Sequence, residues 1–288
     1  MLSWKQYSDL VSVLLILIIA LSCLVGTGLA GETVPAPAMA TTDTDSTTAK
    51  QKSDVAVIGA AFMYDVSSPW RWDGSDRKTA LLFTGLVAGA VLVEEDVRGM
   101  FQRNQGGFGD TIEEIGYWYG APGFTAPFSF LTWGAGALFD SPKLRETGMM
   151  LVESMLMVGL VQQPLRMIVG RARPSLNQGH LSFNPFTVED AYASFISGHA
   201  WSAFTVSTVL ALQIDNPWAS VGLYSLALTT PISRMYADKH WFSDVLAGSV
   251  LGYFSARTLW KWRKEGPGAA YLITVMPLPN GVAVVGRF

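Results

Sequence analysis

Cysteine is nearly absent from this chain: Cys23 is the single one, and it falls inside an apolar run near the N-terminus. Everything after it is therefore without a disulfide framework, a thiol nucleophile or a cysteine metal site. Histidine is scarce as well, with three in 288 residues, and charged residues make up only 15% of the chain. Neither sign of charge dominates. A formal charge of -3 and an isoelectric point near 5.6 supply no basic field for a nucleic-acid backbone, so nucleic acid is not an expected partner. What remains for chemistry is a few arginines, histidines and carboxylates. They sit in a sequence that is half hydrophobic, enough to bury a large core in one sizeable domain.

The ends of the chain differ from its middle. Lys5 precedes an uncharged run over 10–30 that closes on Gly28 and Ala30, which reads as an export signal over 1–30. The run is long enough to cross a bilayer, so an uncleaved anchor is the competing reading. Ala20-Leu21-Ser22 is a poor approach to a lipoprotein cut before Cys23. Over 31–54 the composition turns to Thr, Ala, Pro, Ser and Asp, the signature of a disordered tether. At the other end, β-rich stretches at 271–276 and 282–285 flank Asn280-Gly281, predicting a short C-terminal hairpin laid on the domain.

Between these ends, over a domain expected at 55–288, the pattern is helical. Apolar runs at 79–93, 124–139, 147–169, 200–214, 218–233 and 240–262 are separated by Pro, Gly, Asn or Asp signals. Thr111 and Glu114 have the spacing of a capping box opening a further short helix through Tyr117-Trp118-Tyr119. The aromatic groups at 62–64 and 69–72 read as a segment packed across the helical body. The expected fold is an all-α bundle of about six core helices spanning 79–262.

Three short pieces carry chemistry. Arg166 and Arg173-Pro174 flank the end of the long third run; guanidiniums bind tetrahedral oxyanions through paired hydrogen bonds at any working pH. Arginines at a helix end are also ordinary dipole partners, and Arg171 fits that plainer role. Ser197-Gly198-His199 opens the next helix, where backbone N–H groups and the positive helix end favour an anion and Gly198 permits close approach. Alone, it is an ordinary helix start with an incidental histidine. The third piece, Ser233-Arg234 to His240 to Asp244, puts a histidine and a carboxylate four residues apart at the start of the last helix. There the carboxylate can hold the imidazole in one tautomer. The same face continues as Gly248, Gly252 and Ala256, a stripe for close helix packing. His180 lies in a loop and reads as a rim residue.

Taken together, the pieces resemble the three-part signature of the type 2 phosphatidic acid phosphatase and vanadium haloperoxidase superfamily. That signature is a basic residue, six residues and Arg-Pro; then Pro-Ser-Gly-His; then Ser-Arg, five residues, His, three residues and Asp. The third piece matches at every specified position, while Arg166 stands for the usual lysine and Ile196 for the usual proline.

The resemblance implies a metal-independent phosphatase of the cell envelope that needs no cofactor. His240 would be the nucleophile forming a phosphohistidine, Asp244 its orienting partner, and His199 the acid and then the base. Arg166, Arg173, Arg234, Ser197 and Gly198 would hold the phosphate. The implied partners are a phosphorylated lipid (phosphatidic acid, isoprenyl diphosphate or lipid A) or a small phosphate ester, with a membrane surface as a further candidate. A vanadate-dependent haloperoxidase and a non-catalytic envelope protein of the same shape are the alternatives. Because several runs are short for a membrane span and others contain Glu153 or Asp244, the expectation is an exported, water-soluble bundle, with an integral membrane protein as runner-up.

Overall fold

A computed structural model of the chain describes residues 53–265, 273–278 and 281–286. The expected export signal at 1–30, nearly all of the tether at 31–54 and Asn280 of the hairpin turn lie outside these residues. Asp54, the last residue assigned to the tether, instead opens a helix: α1, Asp54–Val66, begins on the Ser53 side chain, which accepts the Ala56 amide. The aromatic segment at 62–64 is the end of this helix, followed by a 3-10 turn at Ser68–Arg71.

The remaining helices are α2 (Gly74–Val91), α3 (Glu94–Arg103), α4 (Phe108–Gly120), α5 (Pro122–Leu138), α6 (Pro142–Met157), α7 (Gln163–Val169), α8 (Gly198–Ile214), α9 (Pro217–Tyr236) and α10 (Phe242–Glu265). A π-helical turn, Val158–Gln162, joins α6 to α7. Two strands, β1 (Ile273–Leu278) and β2 (Gly281–Gly286), pair antiparallel from Ile273 opposite Gly286 to Leu278 opposite Gly281. The domain is an all-α bundle.

Two boundaries differ from the sequence pattern for identifiable reasons. The capping box at Thr111 does not form; α4 starts three residues earlier, and the reciprocal box belongs to Asp73 and Asp76 at the head of α2. Helix α3 escapes the apolar-run criterion because it carries Glu94, Glu95 and Asp96 in its first turn, placed where the helix dipole favours acids.

Helix α8 is the axis of the bundle. It is buried from Ala200 through Val209 and packs against α4, α6, α9 and α10, as an apolar helix without a polar face must. Met150, Leu151, Val206, Val209, Ala256 and Leu259 form the core between α6, α8 and α10, each such side chain contributing roughly 1.5–3 kcal/mol on burial. The stripe on α10 has the expected use: a Cβ on Gly248 would lie 2.4 Å from the Ser197 carbonyl oxygen, and one on Gly252 would lie 2.3 Å from that of Trp201. Backbone contact at this range holds the start of α8 against the start of α10.

The outer helices are arranged the other way round. Helix α5 buries Thr125, Ser129 and Gly136 while Phe130, Leu131 and Leu138 face outward, and α2 buries Ala90 while Leu81 and Leu82 are exposed. Leu92 is 85% and Trp218 83% exposed.

Candidate active site

Each piece of the site is delivered by a helix end. Helix α7 carries Arg166 and closes on Gly170 in the left-handed conformation, after which the chain extends through Arg171 to Arg173. Ser197 caps α8, its buried side chain accepting the Ala200 amide, so that Gly198 and His199 occupy the first positions of the helix. Arg234 lies in the last turn of α9, and its carbonyl accepts the Lys239 and His240 amides across the turn that leads to α10.

His240 therefore stands in that turn and not, as expected from the spacing, on the face of the helix, which begins at Phe242. Its Nδ1 is 2.7 Å from the Ser194 carbonyl oxygen and 4.0 Å from Asp244 Oδ2. A carbonyl accepts only, so Nδ1 carries the proton and Nε2 keeps its lone pair. The Asp244 carboxylate is committed elsewhere. Its Oδ2 accepts Ser194 Oγ at 2.5 Å and the Trp241 amide at 2.9 Å, and its Oδ1 accepts Arg171 Nη1 at 2.6 Å. The carboxylate thus reaches the imidazole through Ser194.

The three motif arginines each have protein partners. Arg166 donates to the Ala193 carbonyl and to Gln163, and Arg173 donates to the carbonyl and the carboxylate of Asp190. Arg234 Nη2 donates to Glu113 Oε1 at 2.6 Å and to Ser233 Oγ at 2.7 Å, while its buried Nε has no partner. Tyr117, one helical turn after Glu113 on α4, stacks on His199 with ring centroids 5.6 Å apart and lies 4.8 Å from the Arg234 guanidinium carbon.

The motif side chains lie near enough to act on one another electrostatically. Arg234, Arg166 and Arg173 all act on His199, and Arg173, Arg166 and His199 act on His240. Burial above all, and then these positive neighbours, hold the His240 pKa well below the ordinary histidine value, so the ring is neutral. A neutral Nε2 with Arg173 and Arg166 nearby can attack an electrophile bearing anionic oxygens. His180 stays at the rim, with its Nδ1 3.2 Å from Glu95 Oε1. Among the described residues, no group of three or more His, Cys, Asp or Glu is placed to hold a metal ion.

Several contributors lie beyond the reach of sequence spacing. Arg171 is not a helix-end partner: buried, it bridges Glu94 and Asp244. Glu94, Glu113, Tyr117 and Ser194 belong to no motif and meet the site only through tertiary packing. The acidic first turn of α3 was the one available signal for Glu94.

Residues 147–266 match the family model described as the PAP2 superfamily. Over 114 residues the chain is 32% identical to a lipid A 1-phosphatase of Rhizobium etli, covering 38% of this chain and 48% of that protein. It is 39% identical over 80 residues to a lipid A 1-phosphatase of Porphyromonas gingivalis (27% and 18% covered), and 29% identical over 93 residues to a lipid A 4'-phosphatase of Bacteroides thetaiotaomicron (31% and 41% covered). The chain thus spans less than half the length of these curated relatives. Among solved structures it is similar to Aquifex aeolicus LpxE, at 18% identity and a TM-score of 0.46 over 59% of this chain and 95% of that one. It is also similar to the transmembrane PAP2 type phosphatidylglycerolphosphate phosphatase of Bacillus subtilis, at 19% identity and a TM-score of 0.45 over 74% and 96%. The stretch that matches the PAP2 superfamily model holds Arg166, Arg173, His199, Arg234, His240 and Asp244.

Proposed function

We propose that the protein is a lipid phosphatase that removes a phosphomonoester group from a phosphorylated lipid, with a lipid A-type phosphoglycolipid as the favoured substrate. One observation carries the reading. A neutral histidine with its Nδ1 proton fixed on a carbonyl lies near the half-buried Arg173 and Arg166, and the buried Arg234 acts on the neighbouring His199. The names of the curated relatives support the substrate class.

In this mechanism His240 Nε2 attacks phosphorus while Arg166, Arg173 and Arg234, with Ser197 and the amide of Gly198, hold the three equatorial oxygens. The P–O bond to the lipid breaks, and His199 protonates the departing alkoxide. His199 then takes a proton from water, whose oxygen attacks the phosphohistidine and releases inorganic phosphate and free His240. Asp244 supports the positive charge that His240 bears in the intermediate. No metal or cofactor enters either step.

The same reading puts the bundle in a membrane, against the water-soluble expectation. Helices α5 and α2 turn small and polar groups inward and large apolar ones outward, which suits a lipid solvent and not water. Two objections to an integral protein lose their force. Glu153 is buried and paired with Arg263, and Asp244 is buried and paired with Arg171. The continuous helix Pro142–Val169 is long and apolar enough to cross a bilayer, the one such helix among the described residues.

The test is phosphate release by purified, detergent-solubilised protein from lipid A, phosphatidic acid, isoprenyl diphosphate and a soluble aryl phosphate. Release from lipid A above the others, absent in His240→Ala, is the expected result. Bromide oxidation by peroxide after vanadate loading, with no phosphate release from any substrate, would overturn the reading in favour of a haloperoxidase.

A further inference from the structure

Phosphoryl transfer as derived above leaves the buried carboxylate of Glu94 without a role. Glu94, at the head of α3, is fully buried and lies far from the motifs in sequence, 77 residues before Arg171. Its Oε2 accepts Arg171 Nη2 at 2.6 Å, and its Oε1 accepts the Ser243 amide at 3.1 Å and Ser243 Oγ at 2.5 Å. Arg171 Nη1 also donates to Ser243 Oγ at 2.8 Å and to Asp244 Oδ1 at 2.6 Å. Beyond Asp244 the connection continues through Ser194 to His240 Nδ1. The four hydrogen bonds from Glu94 to the imidazole are each 2.7 Å or less, joined through the Arg171 guanidinium, the Asp244 carboxylate and Ser194.

The charges explain what this arrangement can do. A buried guanidinium between two buried carboxylates leaves one net negative charge in a region of low dielectric. Without Glu94, Arg171 would neutralise Asp244 outright. With Glu94 present, Arg171 is shared and Asp244 retains negative charge to offset the imidazolium that develops when His240 is phosphorylated. Glu94 also holds the first turn of α10 in place through both polar groups of Ser243. Burying three charges is costly for folding, and a set this fully hydrogen-bonded retains its charge for a use other than stability.

We propose that Glu94 is a positioning residue for phosphoryl transfer, acting through Arg171 to set the charge and orientation of Asp244 and, through Ser194, the tautomer of His240. The inference rests on His240 being the nucleophile. It assigns to α3, outside the family-matched segment, a share in the reaction itself.

The experiment is a double-mutant cycle on the full chain, using the lipid monophosphate that the wild-type enzyme hydrolyses fastest. Glu94→Gln keeps the shape and most of the hydrogen bonds while removing the charge. It should lower kcat by about tenfold or more and leave KM within about twofold, since the substrate phosphate does not touch it. In an Asp244→Asn background the same change should cost less than about twofold, because the route through Asp244 is already cut. Glu94→Asp should recover part of the lost kcat. If Glu94→Gln does not fold, Arg171→Lys, which keeps the charge but breaks the paired contact with both carboxylates, takes its place in the cycle. Wild-type kcat in the single variant, or losses that multiply in the double variant, would overturn the proposal. Wild-type kcat in Asp244→Asn would instead overturn the site assignment beneath it.

Discussion

His240 Nδ1 donates to the backbone carbonyl of Ser194 at 2.7 Å, and that residue's own hydroxyl donates to Asp244 at 2.5 Å. One residue thus serves both the nucleophile and the carboxylate, and its backbone share cannot be removed by side-chain substitution. Rapid quench of the working enzyme at alkaline pH should trap an acid-labile phosphoenzyme, and His240→Ala should give none. Asp244→Asn should fold and lose on the order of 10²-fold in kcat. Ser194→Ala, which keeps the carbonyl, should lose less than Asp244→Asn; an equal loss would mean that the carboxylate acts only through the serine hydroxyl.

Vanadate adopts the trigonal-bipyramidal geometry of phosphoryl transfer, and Arg166, Arg173 and Arg234, acting on His240 and His199, are the groups to receive it. It should inhibit phosphate release competitively, and chelators should leave the rate unchanged. Arg234→Gln should raise the vanadate inhibition constant by roughly tenfold to a hundredfold, the range for losing hydrogen bonds to a charged group. Unaltered inhibition in that variant would place Arg234 outside the phosphate site.

The pH profile follows from the neutral state of His240. Burial and the nearby arginines depress its pKa, so attack remains possible below the ordinary histidine value of about 6.5. The acid limb of kcat/KM set by this group should therefore lie below that value, and a limb at or above it would contradict the assignment. The sign for stability follows too. Between its folded pKa and about 6.5 the histidine takes up a proton only in the unfolded chain, so its contribution weakens the fold as pH falls through that window.

Close packing of α4 against α9 positions Glu113 and Tyr117. A Cβ at Gly116 would lie 2.1 Å from the Thr229 carbonyl oxygen, so Gly116→Ala must push the helices apart. The expected cost is about 1–3 kcal/mol, read as a lower thermal midpoint in detergent. Activity should fall along with it, because the residues on either side of Gly116 contact Arg234 and His199.

Membrane placement has its own measurement. Alkaline carbonate should leave the protein in the pellet, and release into the supernatant would restore the water-soluble reading.

What the sequence made legible follows from how local each signal is. The runs at 200–214 and 218–233 sit within α8 and α9 because continuous apolar stretches ended by Asn or Asp leave the helix few other states. The motif arginines and histidines could be picked out because they lie a few residues from helix ends. Arg171 marks the limit of such local signals: beside a helix end it reads as a dipole partner, and only folding brings Glu94 to it across 77 positions. The proposed membrane placement rests on signals that are just as non-local. Run length and the presence of Glu153 are visible in sequence, whereas the outward direction of Phe130 and Leu131 and the pairing of Glu153 with Arg263 are not.

The position of Glu94, Glu113 and Tyr117 on α3 and α4 has a consequence for recombination with relatives. All three lie before residue 147, where the family match begins, yet each touches a residue within the match. A chimaera that moves this chain's 147–266 stretch into another protein must also carry the acceptors for its two arginines, Glu94 and Glu113. Otherwise Arg171 and Arg234 face foreign helices, and the swapped enzyme fails through unbalanced charge even with every motif intact.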